Sequence, residues 1–434
     1  MKIHLRMVGC RVNQAEIEAL ARRFQHRGHE IVADSPLADY IIVNTCVVTQ
    51  NAAKDSRKLI RELHRANPQA AIIVTGCYAQ IAPDELAALP GVARVINNIG
   101  KDTLVEQLMG VPTEPVGNEP IPRNLLSGAA GRTRAFVKVQ DGCDNRCAFC
   151  ITTIARGVGR SRAQTDILDE ISDLRRSGFQ EVVLTGVHLG SYGHDQSDRS
   201  GLIELVQAVL AETDIPRFRL SSVEPWDLAA DFFDLWKNPR LCRHLHLPLQ
   251  SGCDATLKRM LRRTTQAEYR LLVHAARERF PDFSVTTDVM VGFPGETDEE
   301  FAISEAFIAE MAFARLHVFR YSPRPGTLAA RMKNQVDPVV KEARSARLHT
   351  LSAQLAQQFA EKFVGQTRPV LWEQVLGAAE DGFIQVGYTD NYFRVRGVYP
   401  GVLTNQITAA LLLHYDTIQE QIAAKPVIVA EYSI

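Results

Sequence analysis

The sequence lacks any hydrophobic run long enough to cross a membrane, which takes about 20 consecutive apolar residues, and it has no low-complexity tract or biased repeat. Its N-terminal apolar stretch is too short and too charged for a secretion signal. Excess charge is absent as well: the net charge is −1 over 434 residues, so the chain as a whole does not attract nucleic acid. We therefore expect a cytoplasmic protein without membrane contact, which binds any polyanion through local basic patches.

Cysteine is scarce, with 8 residues in the chain. In a reducing compartment such thiols are more typical of metal ligands or buried residues than of disulfides. Six of them fall into two patterned sets. Cys242 and Cys253 have no pattern and are expected to be buried small residues, and His188, His244 and His246, at or near strand ends, are expected to be structural histidines.

The first patterned set is the run Cys143-x-x-x-Cys147-x-x-Cys150, called the loop cysteines below, which begins just past a predicted strand. Three thiolates at this spacing can bind three irons of a four-iron cluster, which leaves the fourth iron open to an exogenous ligand. The alternatives are three incidental buried thiols or a zinc site that lacks one ligand. Phe149 lies beside the last cysteine, where its ring is suited to pack over the open face.

The second set, called the sheet-edge cysteines, becomes visible only once strands are predicted. Cys10, Cys46 and Cys77 each follow an apolar, strand-like run and precede a predicted helix. Because the carboxyl ends of parallel strands lie along one edge of a sheet, these thiols are expected to converge where α/β folds bind ligands. Three core cysteines without a shared role are the alternative interpretation.

Strand-like and helical patterns divide the chain into successive regions. Residues 1–112 alternate strands with amphipathic helices, which predicts a doubly wound parallel sheet. Residues 113–132 are rich in proline and glycine and are predicted to be a linker. Residues 133–362 repeat the alternation about six times, which predicts a partial (β/α)6 barrel that binds ligands at the carboxyl ends of its strands and ends in a charged helix over 335–360. Residues 363–434 have short strands and glycine-rich turns, typical of a small all-β barrel.

The strand predictions are specific at both ends of the chain. Four strands are predicted in the first region: Ile3–Val8, Ile31–Val32, Tyr40–Asn44 and Ala71–Thr75. Five are predicted in the last region: Pro369–Trp372, Phe383–Val386, Phe393–Val398, Ile407–Leu412 and Val427–Ala430.

Motifs along most of the chain resemble those of one known family. They are Gln140–Cys143 with the rest of the cysteine run, Ala155–Gly157, Leu184–Gly193, Arg219–Pro225, His246–Gly252, Asp288–Thr297 and Tyr321–Thr327. Together they look like the radical S-adenosylmethionine (SAM) methylthiotransferases. The resemblance implies an N-terminal methylthiotransferase domain, a radical SAM barrel and a C-terminal TRAM-type barrel that binds RNA.

The resemblance also implies cofactors and their sites. The loop cysteines are then ligands of a [4Fe–4S] cluster whose open iron chelates SAM, and the sheet-edge cysteines hold a second [4Fe–4S] cluster that presents sulfur. By motif position, SAM is expected to contact Phe149, Gly186, Ser222, Gln250 and Gly292. No catalytic residue beyond the cluster ligands is predicted, because the hard chemistry belongs to the cofactors.

Two segments, Gly9–Asn13 and Gly387–Tyr392, resemble the subgroup that adds a methylthio group to C2 of N6-threonylcarbamoyladenosine beside the tRNA anticodon. The implied partners are tRNA, a reductant protein such as flavodoxin or ferredoxin, and iron–sulfur assembly proteins. Methylthiotransferases acting on isopentenyladenosine in tRNA, or on an aspartate of a ribosomal protein, are near alternatives. A non-catalytic iron–sulfur sensor that binds RNA is an alternative of another class, but it has no need of the open iron that each three-cysteine set leaves.

Basic residues concentrate beside the loop cysteines. Residues 132–162 contain seven arginines and lysines against two aspartates, a net charge of +5. A basic rim at the mouth of a site suits a phosphate backbone, although acidic neighbours folded over it would offset the charge. The predicted RNA contacts are Arg156, Arg160 and Arg162 in this segment and Arg394 and Arg396 in the last domain, where Tyr388 and Tyr392 precede them and offer stacking surface.

Overall fold

The computed structural model describes residues 1–110, 133–196 and 201–427. The linker predicted over residues 113–132 lies outside these described ranges. Among the helices described, none is both long and apolar enough to cross a membrane.

The N-terminal unit is a five-stranded parallel sheet, as the alternation of strands and helices predicts. Its strands are β1 (Lys2–Met7), β2 (Glu30–Ile31), β3 (Tyr40–Thr45), β4 (Ala71–Gly76) and β5 (Val92–Val95), in the order β2-β1-β3-β4-β5. Its helices are α1 (Arg11–His26), α2 (Gln50–Ala66), α3 (Cys77–Ile81), α4 (Pro83–Ala87) and α5 (Leu104–Met109). The strand order reverses direction between β1 and β3, which makes the carboxyl ends of these two strands the expected ligand site.

Alternate residues of the central strands build a hydrophobic layer on each face of this sheet. Ile41 and Val43 of β3 are buried with α2 on one face, whereas Ile42 is buried with α1 and α5 on the other. Strands covered on both faces read as continuous apolar runs. This is why the sequence of β3 and β4 predicts them so directly.

The second unit is a partial barrel of six parallel strands, with the short antiparallel strand β7 at one edge. The strands are β6 (Arg134–Asp141), β7 (Arg160–Ser161), β8 (Glu181–Gly186), β9 (Arg217–Leu220), β10 (His244–His246), β11 (Ser284–Val291) and β12 (Arg315–Arg320). Single bridges, Phe218 with Leu241 and Ser222 with His246, continue the sheet from β9 to β10. The six parallel strands confirm the predicted partial barrel.

Helices cover the outside of the barrel. They are α7 (Gln164–Arg176), α8 (Leu202–Glu212), α10 (Gln266–Arg279), α11 (Asp298–Met311) and α12 (Pro338–Glu361), whereas the short helices α6 (Thr152–Arg156) and α9 (Asp254–Arg259) adjoin the loop cysteines. Val137, Leu184 and Phe218 point outward into the main hydrophobic core under these helices. The intervening residues, such as Arg134, Glu181 and Arg219, are polar and face the barrel interior.

The C-terminal unit is a closed five-stranded barrel, which confirms the predicted all-β architecture. Its strands are β13 (Thr367–Ala379), β14 (Gly382–Thr389), β15 (Arg394–Tyr399), β16 (Ile407–Asp416) and β17 (Gln421–Val427), in the order β13-β14-β15-β17-β16. The last strand begins at Gln421, not at Val427 as predicted. Residues 428–430 lie outside the described ranges.

Buried arginines attach this small barrel to the larger one. Arg219 of β9 donates to the carbonyl oxygens of Thr389 and Asp390, each at 2.8 Å, while its Nε contacts Glu181 Oε1 of β8 at 2.8 Å. Arg217 donates to the Thr389 carbonyl at 3.1 Å and pairs with Glu181 at 2.9 Å. The turn that follows β14 is therefore fixed against the barrel interior.

Candidate functional site

The sheet-edge cysteines lie at the ends of β1, β3 and β4. Cys10 caps the start of α1, Cys46 follows β3, and Cys77 is the first residue of α3. Gly9 has φ +135°, and a Cβ there would lie 2.9 Å from Cys46 Cβ. Only a glycine lets the loop that carries Cys10 approach Cys46 this closely.

Shared contacts place Cys10 near Cys77: Cys10 Sγ lies 3.3 Å from Asn13 Oδ1, and Arg156 donates to that oxygen at 3.3 Å and to Cys77 Sγ at 3.2 Å. Burial raises the pKa of the Cys46 thiol to about 11, and the nearby Cys77 and Cys10 raise it as well. Cys46 and Cys77 are buried, whereas Cys10 is exposed. Three convergent thiols are soft donors that suit iron–sulfur clusters, and a bound metal holds such thiols deprotonated.

The loop cysteines lie between β6 and α6, at the carboxyl end of the barrel strands. The loop is held by backbone hydrogen bonds from Cys143 N to Gly157 O at 3.0 Å and from Ala148 N to Met260 O at 2.9 Å. All three cysteines line a cavity of about 440 Å³. The loop is thus a fixed cradle with its thiols directed into an open space.

Two donors approach the loop thiols. Thr152 N donates to Cys150 Sγ at 3.3 Å, and Arg262 Nη1 lies 3.7 Å from Cys147 Sγ. Burial raises the pKa of the Cys147 thiol to about 11, against a lowering effect of Arg262. N–H donors and a guanidinium are the groups that stabilise sulfur carrying negative charge.

The donor chemistry of both sets fits an iron–sulfur cluster. Within the described part of the chain, no three His, Cys, Asp or Glu side chains are placed to hold a single metal ion. Each set instead presents three thiols with an arginine close by, Arg262 at the loop cysteines and Arg156 at the sheet-edge cysteines. Cys242 and Cys253 are buried away from both sets, as expected.

Arg156 requires a correction. The sequence predicts it to be an RNA contact on a basic rim, but its side chain is 2% exposed. Its Nη1 pairs with Glu16 Oε1 at 2.9 Å and with Asp141 Oδ1 at 2.8 Å, and its Nε donates to Cys77 Sγ at 3.2 Å. A guanidinium enclosed in this way is not accessible to a phosphate backbone.

Glu16 is the centre of the buried network around Arg156. It pairs with Lys101 at 2.7 Å and with Lys138 at 3.4 Å in addition to Arg156. Burial opposes ionisation of Glu16, but Lys101, Arg156 and Lys138 outweigh it and hold the pKa of that carboxyl well below its usual value. These contacts join α1 and the turn before α5 of the N-terminal unit to β6 and α6 of the barrel.

The residues predicted to contact SAM lie together at the carboxyl end of the barrel. Gly186 is the last residue of β8, and Ser222, Gln250 and Gly292 follow β9, β10 and β11. Gln250 has φ 70° and bridges to Val289. The Phe149 ring packs edge-on against Phe293 with centroids 6.4 Å apart.

His188, expected to be a structural histidine, lies beside the loop that carries the loop cysteines. Its Nε2 lies 2.7 Å from Asp227 Oδ2 and its ring contacts Asn145 of the cysteine loop. Burial lowers the pKa of His188, but Asp227 and Cys143 more than offset this and raise it to about 10. Its place in a strand-end motif is the one feature of the sequence that indicates this position. Its partner Asp227 is distant in sequence, so the pairing itself could not be predicted. His244 and His246 contact Thr286, consistent with structural roles.

The other predicted RNA contacts lie at the surface to different degrees. Arg160 and Arg394 are exposed. Arg162 is partly exposed and pairs with Glu170 at 2.6 Å, and Arg396 donates to Gln419 Oε1 at 2.8 Å. Unlike Arg156, these four side chains can be reached by a polyanion.

Comparison with known proteins agrees with this arrangement. A family model described as uncharacterized protein family UPF0004 matches residues 2–97, and that of the radical SAM superfamily matches residues 137–308. Among solved structures, the radical SAM methyltransferase TsrM from Kitasatospora setae superposes with a TM-score of 0.57 over 76% of this chain and 77% of its own, at 16% identity. That likeness concerns the fold alone.

Curated relatives match over most of their length. The threonylcarbamoyladenosine tRNA methylthiotransferase MtaB of Bacillus subtilis is 38% identical over 89% of this chain and 88% of the relative. The protein of that name from Thermotoga maritima is 37% identical over 86% of each chain. A tRNA-2-methylthio-N(6)-dimethylallyladenosine synthase of Staphylococcus haemolyticus is 33% identical over 89% of this chain and 77% of its own.

The two cysteine sets fit the cofactors that the two matched families imply together, two [4Fe–4S] clusters and SAM. The chain is therefore an enzyme that transfers a sulfur-containing group to tRNA. It belongs to the MtaB-type methylthiotransferases of the radical SAM superfamily.

Proposed function

We propose that the enzyme adds a methylthio group to C2 of N6-threonylcarbamoyladenosine next to the tRNA anticodon. The observation that carries this proposal is the adjacency of the two cysteine sets. Helix α6, which follows Cys150, packs against α3, which begins with Cys77, and Arg156 of α6 contacts the Cys77 thiol. The choice of substrate follows the names of the most similar relatives found.

The loop cysteines hold, in this proposal, the [4Fe–4S] cluster to which SAM binds. When bound, that cluster and SAM supply the radical chemistry that an unactivated aromatic C–H bond requires. The chain itself places the thiols on a rigid loop and brings the Arg262 guanidinium close to Cys147. The rings of Phe149 and Phe293 pack edge-on against each other and add apolar surface beside the loop cysteines.

The sheet-edge cysteines hold the second cluster, which provides the sulfur. Arg156 serves this site, because its buried guanidinium faces Cys77 and favours negative charge on that sulfur. We assign SAM contacts to Phe149, Gly186, Ser222, Gln250 and Gly292, which lie around the same end of the barrel as the loop cysteines. A small adenine-bearing cofactor fits at strand ends of this type.

The tRNA is held by patches rather than by overall charge. We assign RNA contacts to Arg160 and Arg162 near the cysteine loop and to Arg394 and Arg396 on the C-terminal barrel. Two features support this assignment. These side chains are at least partly exposed, and the net charge of −1 means that only local basic patches can attract the RNA backbone.

Each proposed domain has its own task. Residues 1–112 deliver sulfur, residues 133–362 bind SAM and residues 363–434 bind RNA, with residues 113–132 as the linker. The reaction consumes electrons, so a small reductant protein such as flavodoxin or ferredoxin is a required partner, as are iron–sulfur assembly proteins. We place the enzyme in the cytoplasm, where tRNA is modified.

Nucleoside mass spectrometry of tRNA from a strain that lacks the gene tests the proposed function. The 2-methylthio form of threonylcarbamoyladenosine is expected to disappear and the unthiolated nucleoside to accumulate, with both restored by the wild-type gene. Persistence of the methylthio form in a strain without a paralogue would overturn the substrate assignment. Loss of the methylthio form of isopentenyladenosine instead would favour the sister activity.

A further inference from the structure

A second cavity of about 440 Å³, separate from the one at the loop cysteines, lies between β12, α12 and the C-terminal barrel. Its wall includes Arg11, His317, Phe319, Tyr388, Tyr392 and Arg394. The volume is in the range of roughly 300–1,000 Å³ typical of small-molecule sites. Arg11 directly follows Cys10, so the cavity is linked through one peptide bond to a sheet-edge cysteine.

The cavity carries positive charge without matching carboxylates. Arg11 donates to the Tyr392 hydroxyl at 3.0 Å, and neither Arg11 nor Arg394 has an acidic partner among the residues that the structure describes. The acidic residue at the wall, Glu420, pairs at 3.5 Å with Arg315, a third arginine there. Two guanidinium groups are therefore available to an anion.

The pKa values of two histidines near Arg11 are lowered in part by the positive charge of the surrounding arginines. Burial lowers the pKa of His317, and His246, Arg315 and Arg11 lower it further against the opposing effect of Asp288. Burial likewise lowers the pKa of His244, with Arg219 and Arg11 among the added causes. The space beside Arg11 thus favours negative charge.

Two tyrosine rings, those of Tyr388 and Tyr392, form part of the cavity wall. Tyr388 and Tyr392 stack with centroids 5.0 Å apart, and Tyr392 is held at φ 72°, a left-handed conformation that is costly for a side chain of this size. Arg219 lies over the Tyr392 ring at 4.8 Å. The fold maintains this strained turn, which places both tyrosine side chains at the cavity wall beside the arginines.

The wall joins the two segments that resemble the subgroup acting on threonylcarbamoyladenosine. Arg11 belongs to Gly9–Asn13 and Tyr392 to Gly387–Tyr392, and the two are 381 residues apart in sequence. Their contact places both signatures in one cavity. Signatures that differ between substrate subgroups are expected where the substrates differ.

We propose that this cavity binds the threonylcarbamoyl group of the substrate nucleoside, with its carboxylate at Arg11 and Arg394 and its planar amide portion against the tyrosines. This inference rests on the proposed function. A carboxylate pairs well with guanidinium groups, whereas a neutral isopentenyl group offers the two arginines no charged partner. The cavity then selects for the acid and against the neutral nucleoside.

Binding of two matched RNAs to the reconstituted enzyme tests the proposal. One anticodon stem–loop carries N6-threonylcarbamoyladenosine, and the other carries the same nucleoside with its carboxylate replaced by a carboxamide. Wild-type enzyme is expected to bind the acid about tenfold more tightly, as for a hydrogen bond to a charged group. Arg394→Gln and Arg11→Gln are expected to reduce that preference to near unity.

Arg396→Gln is the matched control, since it removes the same charge from the same strand outside the cavity wall. It is expected to weaken both RNAs equally and to keep the preference for the acid. Equal binding of the two RNAs by the wild type, or a preference retained in both cavity variants, would overturn the proposal. Mass spectrometry of the acid stem–loop after turnover reports separately on the proposed function: methylthiolation without any acid preference would leave that function standing and reject only the cavity.

Discussion

One buried guanidinium lies between the two cysteine sets. Arg156 follows the loop cysteines in the chain by six residues and contacts the thiol of Cys77, while Glu16 and Asp141 neutralise it. A buried charge of this kind is held in place by all its partners at once. Arg156 therefore fixes the position of α6 relative to the sheet-edge cysteines.

Replacing Arg156 by methionine is expected to destabilise the protein by about 3–5 kcal/mol, because Glu16 and Asp141 lose a buried partner. The measurement is the free energy of unfolding in urea of the cluster-free protein. Arg160→Met, on an exposed side chain of the same segment, is the control and is expected to change it by less than about 0.5 kcal/mol. Equal effects of the two substitutions would contradict the network described around Glu16.

The sequence could not reveal this role of Arg156. Counting charges over residues 132–162 gives a net +5, but Glu16 is 140 residues away along the chain. A count of neighbouring charges does not show which of them become enclosed when domains pack. The cysteines were predictable by contrast, because strand ends and short spacings are local features.

At the scale of elements, strands β8 and β9 attach the C-terminal barrel. Glu181 of β8 pairs with Arg217 and Arg219 of β9, which in turn donate to carbonyl groups of the turn after β14. Burial alone would raise the pKa of Glu181. Arg219, Arg217 and Arg134 outweigh burial and lower the pKa of that carboxyl to about 2. A depressed carboxyl pKa gives stability that is complete above its usual value near 4.5 and is lost as the pH falls towards 2.

Wild-type protein should therefore lose about 3 kcal/mol of stability through Glu181 between pH 4.5 and about 2. Glu181→Gln should be less stable at neutral pH and lack this part of the acid dependence. Urea unfolding at a series of pH values measures both effects. Glu212→Gln, at an exposed position that ends α8, is the control and should follow the wild-type curve. An unchanged acid dependence in Glu181→Gln would rule out the ionised pair.

Which elements could be predicted depends on how each one is buried. The runs of β3 and β4 are buried on both faces and were predicted directly. Strand β5 was missed, because its residues Val92–Val95 are partly or fully exposed and form no apolar run. The start of β17 was misplaced, because Lys425 and Pro426 interrupt its sequence and only its pairing with β15 and β16 makes it a strand.

At the scale of the whole molecule, three units meet around one set of contacts. Arg11 of the N-terminal unit and Arg134 of the barrel both approach the Tyr392 hydroxyl of the C-terminal barrel, at 3.0 and 3.4 Å. Such contacts between distant segments cannot be predicted from a single sequence by local pattern. They bring the C-terminal barrel into contact with Arg11, the residue that follows the sheet-edge cysteine Cys10.

The central claim is that the two cysteine sets do different work, the loop cysteines in SAM cleavage and the sheet-edge cysteines in sulfur delivery. The most direct measurement is the amount of methylthiolated nucleoside formed per SAM cleaved by Cys46→Ala, reconstituted anaerobically and compared with wild type. SAM cleavage to 5′-deoxyadenosine is expected to continue while methylthiolated product falls below detection. Normal methylthiolation by this variant would contradict the account.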